Sequence, residues 1–255
     1  MHWPVLTIAS FTLLEALRSR LLWLVFAVLL ATFGLAEFIG SIALTESLAL
    51  KSGMLGAGLR LFAVFMISLF VTTSMVREMN DKVLELILAL PIPRAAYYFG
   101  KLLGFSLVAL VTAVLIGLSL LLYVPPSSLL AWTTSLLCEL FIIAALSLLC
   151  LFSLHQVTFA LSMVAGFYLL SRSISAIQLM GRSPLVDADL SQHAIGTLVD
   201  IIAFLLPELH RFTPSRWLIY HTATWQELAP ILGQTAVYLV LLIGAGLFDL
   251  YRKNL

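Results

Sequence analysis

Charge is what this sequence has least of. Only 11% of its 255 residues are charged and 62% are hydrophobic, whereas soluble domains carry roughly 25% charged residues. Basic and acidic side chains number 14 and 13, for a net charge of +1. There is no polybasic surface, and nucleic acid is excluded as a partner. Cysteine is scarce too. Cys138 and Cys150 fall in one apolar run without CxxC spacing, so the pattern implies neither disulfide nor metal. A phosphate-binding loop is absent: Gly100-Lys101 is followed by leucine, with no glycine at the Walker spacing before it. Any ATP that drives this protein is bound by another chain. No basic residue precedes the first apolar stretch, since Arg18 and Arg20 follow it, and the N-terminus does not read as a signal peptide. With no internal repeat and no low-complexity linker, residues 1–255 read as a single membrane domain.

What the chain does have is long apolar runs, which mark an all-α, polytopic membrane protein. A hydrocarbon core about 30 Å thick needs roughly 20 helical residues. Six runs qualify, near 21–40, 55–76, 100–123, 129–152, 156–176 and 229–250. The fifth contains Arg172 and spans if that arginine snorkels to an interface. With the N-terminus inside, the inner flanks carry Arg18, Arg20, Arg77, Lys82, Arg94, Lys101, Arg252 and Lys253. The outer side carries Lys51, Arg60, Arg172, Arg182, Arg211 and Arg216, the last four spread along one long stretch. Density in short loops decides orientation, so both termini are expected in the cytoplasm.

Two segments do not span. In residues 5–18, Leu6, Ala9, Leu13, Ala16 and Leu17 share one helical side, with Thr7, Ser10, Glu15 and Arg18 opposite. This reads as an interfacial helix on the inner leaflet or as an extension of the first span. The outer segment, 177–228, holds Pro184, Pro207 and Pro214, His193, His210 and His221, and the aromatics Trp217, Tyr220 and Trp225. Within it IGTLVDIIAFLLP (195–207) is apolar but too short to cross, and fits an interfacial or re-entrant helix with the aromatics at headgroup depth.

The stretch 77–90 has a different pattern. Glu78, Asp81, Lys82 and Glu85 repeat at helical spacing on one face, and Val83, Leu86, Ile87 and Leu90 on another. That is an amphipathic helix of about three turns on the inner surface. Pro91 and Pro93 end it, and Arg94 and Lys101 mark the way back into the membrane. Connection alone needs far fewer residues, so a stiff, proline-ended helix points to docking of something cytoplasmic, although a solvated face needs no partner.

The run REMNDKVLELILALPIPRAAYYFGKLLG (77–104) resembles the segment after the second span in type-2 ABC export permeases. There an acidic amphipathic stretch precedes a proline, an arginine, an aromatic and a Gly-Lys pair. Pro91, Pro93, Arg94, Tyr97, Tyr98, Gly100 and Lys101 match that order. The interfacial helix, six spans, large outer segment and basic tail extend the likeness, and LPELHRF (206–212) is similar to a subgroup described as multi-copper enzyme maturation permeases. The resemblance implies a permease in the inner (cytoplasmic) membrane that forms a dimer, with a second copy of itself as a homodimer or with another permease chain as a heterodimer, and pairs with separate ABC ATPase subunits. Those subunits bind ATP and Mg, and this chain holds no cofactor. Residues 77–90 would be the coupling helix, with Glu78, Asp81, Lys82, Glu85, Pro91, Pro93 and Arg94 as coupling residues. The outer segment would be a gate, a lid or the dock for an extracytoplasmic protein. A second coupling helix is not evident, because the loop near Leu154–Gln156 is short.

Few residues could carry chemistry. Glu139 is the one carboxylate well inside an expected span, at a cost of roughly 2.5–3.5 kcal/mol on insertion scales. It could line a translocation path, bridge a dimer or bind a proton, or sit near the outer end of its span and reach the headgroups. His193, His210 and His221 share the outer segment with Asp187, Asp189 and Glu208, but their spacing matches no metal-ligand motif. Gly100 and Gly104, and beyond them Ala109, Ala113 and Gly117, allow close helix packing, as do Gly244 and Gly246. Two rival classes remain. A membrane-embedded enzyme would draw on Ser147, Ser153 and His155, which lack an acid partner in the sequence. An ion-gradient transporter would draw on Glu139.

Overall fold

Inside a bilayer no water is available to backbone N–H and C=O groups, so a spanning chain must satisfy them internally. The computed structural model describes residues 3–19, 21–42, 47–82, 92–154, 156–181 and 190–252, and the regular elements among them are all helical. In chain order these are α1 (Trp3–Arg18), α2 (Leu21–Ile42), α3 (Ser47–Asn80), α4 (Arg94–Leu120), α5 (Pro126–Leu154), α6 (Val157–Gly181), α7 (Leu190–Leu205), a 3₁₀ turn (Leu209–Arg211), α8 (Ser215–Ile219) and α9 (Trp225–Arg252). Among the described residues five helices, α3 to α6 and α9, are long and apolar enough to cross a membrane. The number is six if α1 and α2, which meet at a 54° bend, count as one broken span. α2 alone has 22 residues, about 33 Å of helix, close to the thickness of the hydrocarbon core. Each expected span maps onto one of these helices, and most helices run past the apolar boundaries. Several buried hydroxyls fit within them by turning back on a carbonyl one turn earlier. Thr72 donates to Ser68, Thr112 to Val108, Ser147 to Ile143 and Thr235 to Ile231, at 2.7–2.9 Å.

α5 is the central helix, in contact with α3, α4, α6 and α9. Of its most apolar stretch 83% is buried within the protein, against 17% for α9. Trp132, Leu136, Ile143, Leu148 and Phe152 are among its buried side chains. Cys138 and Cys150 both sit on this helix, buried and unbonded to each other.

α1 lies against α4. A Cβ built on Gly100 would meet Ile8 at 2.9 Å, and one on Gly104 would meet Thr12 at 2.6 Å, so both positions need glycine for the approach. Ala9, Thr12 and Ala16 form the buried side of α1, while Leu6, Phe11, Leu14 and Leu17 stay exposed. The small residues face protein and the large ones are free for lipid, a division that the simple apolar-versus-polar reading of this helix did not make. Gly246 is packed against the Tyr98 ring, whereas Gly244 has open space.

Both described ends of the chain lie at one end of the bundle. α1 covers the start of α4 at Gly100 and Gly104, and Arg94 Nη1 donates to the Leu250 carbonyl of α9 at 3.2 Å. Below, this is the terminal end.

α3 continues to Asn80. Lys82 then takes a left-handed φ of 55°, which a non-glycine residue adopts at turns and not inside helices. The helix expected from 77 is therefore interrupted: residues 77–80 are the last turn of α3, and Asp81 and Lys82 form a turn. Residues 83–91, which include Glu85 and Pro91, lie outside the described residues. Pro93, expected to end the coupling helix, is the N-cap of α4, in an extended conformation.

Candidate functional site

Two polar clusters stand out in this apolar protein. The first is at the terminal end. Glu78, from the last turn of α3, pairs with Lys101 of α4 through Oε1 and accepts a hydrogen bond from Tyr97 Oη at 2.8 Å through Oε2. Tyr97 is fully buried and the Lys101 side chain is 5% exposed. Lys101 also lies 5.9 Å from the Phe105 ring centre, within cation–π range. One turn away, Glu15 of α1 pairs with Arg77 and accepts from Ser74 Oγ at 2.8 Å. Glu78 is thus held at the α3–α4 junction. Asp81 and Lys82 are exposed, and Arg94 reaches across to α9.

The second cluster lies deep in the opposite half. Glu139 of α5 is wholly buried. Its Oε1 is 3.6 Å from Arg172 Nη1 of α6, and its Oε2 accepts from Thr213 Oγ1 at 3.1 Å. Arg172 Nη1 donates to the Leu209 carbonyl at 2.8 Å and lies 3.5 Å from that of Phe212. Arg60 of α3 donates to the carbonyl and the hydroxyl of Thr213, both at 3.3 Å, while Thr213 N donates to Ser135 Oγ at 3.0 Å. Three helices therefore grip the short segment 209–213. The grip holds Thr213, 1% exposed, at a φ of 48°, a conformation that persists only where surroundings enforce it.

This geometry changes the expectations for the membrane charges. Arg172 does not snorkel to an interface; it turns inward to a carboxylate and two carbonyls, the cheaper solution for a charge at this depth. Glu139 reaches no headgroups, and as a residue wholly buried within one chain it cannot be the surface that touches a second copy. Sequence reading missed Arg60, assigned to an outer flank, and Thr213 and Ser135. A signal was available: basic and acidic residues inside neighbouring apolar runs have few partners except each other.

Elsewhere, Trp217 is buried, its Nε1 donating to Glu227 at 2.6 Å, while Tyr220 and Trp225 are each 71% exposed. So only two of the three expected headgroup aromatics are on the surface. Ser153 does have an acidic neighbour, from α9: its hydroxyl lies 3.0 Å from Asp249 Oδ2. The pair has no base between its members, and His155 lies outside the described residues. Asp187, Asp189 and the side chain of His193 also lie outside them. Among the described residues no three His, Cys, Asp or Glu side chains are gathered as a metal site. Burial lowers the His210 pKa from its ordinary value; Glu208 opposes this, and Arg211 and Arg172 add to it.

Against known proteins, a family described as ABC-2 family transporter protein matches residues 41–248. That range holds α3 to α8 and most of α9, and both polar clusters apart from Glu15. No curated protein matches the chain.

Proposed function

The chain belongs to the ABC-2 transporter family, and on that premise we propose that it is the membrane-spanning permease subunit of an ABC exporter. Two copies enclose a path in the inner membrane, with both termini cytoplasmic. Separate ATPase subunits bind ATP and Mg and dock on the terminal end, at the turn and loop 81–93. One observation carries this reading: the two helices that the loop joins are tied together by the half-buried Glu78 and the buried Tyr97 and Lys101. A displacement of the loop then moves α3 and α4 as one body instead of dissipating in side-chain motion. α3 also carries Arg60, so a shift of this stiff helix reaches the gripped segment 209–213 at the far end. In this reading that segment and its neighbours in 177–228 form the gate, or the dock for an extracytoplasmic protein. LPELHRF (206–212) is what supports the multi-copper maturation subgroup.

The test is purification of the tagged chain in mild detergent with an ATPase assay on the eluate. A stoichiometric ATP-binding subunit is expected. Reversing Asp81 and Glu85 to lysine should uncouple its ATPase from transport while membrane insertion stays normal. Unchanged coupling in that double variant would contradict the assignment. Glu78 is left out because its reversal would oppose Lys101 inside the protein.

A further inference from the structure

At the end of the bundle away from the termini, a pocket of about 440 Å³ opens between the 209–217 segment and the first turns of α9. Its volume falls in the range of small-ligand sites, roughly 300–1,000 Å³. His210, Arg211, Arg216, Trp217, Glu227 and Ile231 line it. The charges come in pairs. Arg216 Nη2 lies 3.2 Å from Glu227 Oε2, and Arg211 Nε lies 2.6 Å from Glu208 Oε2. The Trp217 indole also donates to Glu227, which fixes that carboxylate in place. His210 Nδ1 is buried and has no hydrogen-bond partner among the described residues.

The depth of the pocket follows from helix length. α9 has 28 residues, about 42 Å of helix against a hydrocarbon core about 30 Å thick. Its first turn, with Glu227, therefore stands among the headgroups, and Ile231 comes near the hydrocarbon boundary. Tyr220, which follows α8, and Trp225, which opens α9, are on the exposed surface, as interfacial aromatics are. Below it the outer side of α9 is apolar and open, at Leu232, Val237, Val240 and Leu241.

From this arrangement we infer that the pocket is a binding site for the headgroup of a zwitterionic phospholipid. Its phosphate lies on the Arg211 and Arg216 guanidiniums, its ammonium on the Glu227 carboxylate, and its acyl chains along α9. A purely anionic headgroup is the poorer match, because each arginine already faces a carboxylate and nothing would replace the ammonium at Glu227. The site is independent of the transport reading, since it uses only the membrane setting and the lining.

Native mass spectrometry of the full chain, with any copurifying subunits, tests this with phosphatidylethanolamine, phosphatidylglycerol and soluble phosphoethanolamine as probes. The wild type should retain phosphatidylethanolamine over phosphatidylglycerol. Glu227→Gln keeps an oxygen for the Trp217 indole but removes the charge, and should reverse that order. Arg216→Gln should weaken both lipids by on the order of tenfold, the scale of one charge-assisted hydrogen bond. Thermal unfolding of both variants checks that they remain folded. The inference is overturned if the wild type shows no preference or if Glu227→Gln leaves the order unchanged. Displacement of the lipid by equimolar phosphoethanolamine would overturn the lipid assignment in favour of a soluble phosphoamine.

Discussion

Glu139 shows how costly a lone charge is in this protein, and why it is not alone. Removing the carboxylate leaves Arg60 and Arg172 facing each other without compensation. Breaking a buried pair in this way costs about 3–5 kcal/mol, so Glu139→Gln and Glu139→Ala should both lower the unfolding temperature in detergent, the alanine further because it also leaves the Thr213 hydroxyl without its acceptor. The double variant Glu139→Ala with Arg172→Met should lose less than the sum of the single changes, because the pair acts as a unit. His210 gives a pH signature. Its folded-state pKa lies below the ordinary value, so the unfolded chain binds the proton more readily. Its contribution to stability is complete above about pH 6.5 and is lost as the pH falls toward the folded pKa. Unfolding midpoints between pH 7.5 and 5 should fall for the wild type and fall less for His210→Asn. At this scale the sequence identified Glu139 and Arg172 as costly but not as partners. They stand on different helices, and only the fold brings them within 3.6 Å.

Elements were the most legible level, for a physical reason. Lipid forces apolar runs of sufficient length into helices, so each expected run falls largely on one long helix, although the helix ends lie up to eight residues from the run's ends, as at Ser47 of α3. Two details were not legible. The end of α3 depends on the left-handed turn at Lys82, at a residue type with no preference for it. The docking of α1 depends on which of its faces is small, and only the partner glycines make that face matter. Gly104→Ala places a methyl against Thr12 and should detach α1 from α4. A disulfide crosslink between cysteines placed at Ile8 and Leu103 reads this out, and should form in the parent and weaken in the variant. Thr12→Gly should restore it in part, since a glycine inside a helix costs roughly 1 kcal/mol. Equal crosslinking in all three would show that the close approach does not depend on these residues.

Across the whole molecule, the polar contacts gather at two ends. The terminal end ties α1, α3, α4 and α9 together through Glu15, Glu78, Lys101 and Arg94. The other end grips the 209–213 segment from α3, α5 and α6. Such a frame suits a protein that receives force at one end and changes shape at the other. In the proposed function an ATP-binding subunit sits on the terminal end, at the turn after α3. The most direct measurement places a photo-crosslinking amino acid at Asp81 and, separately, at Tyr220, both exposed and at opposite ends. Irradiation of cells should capture an ATP-binding protein from position 81 and none from position 220. Capture from position 220, or no ATP-binding protein at position 81, would contradict the account.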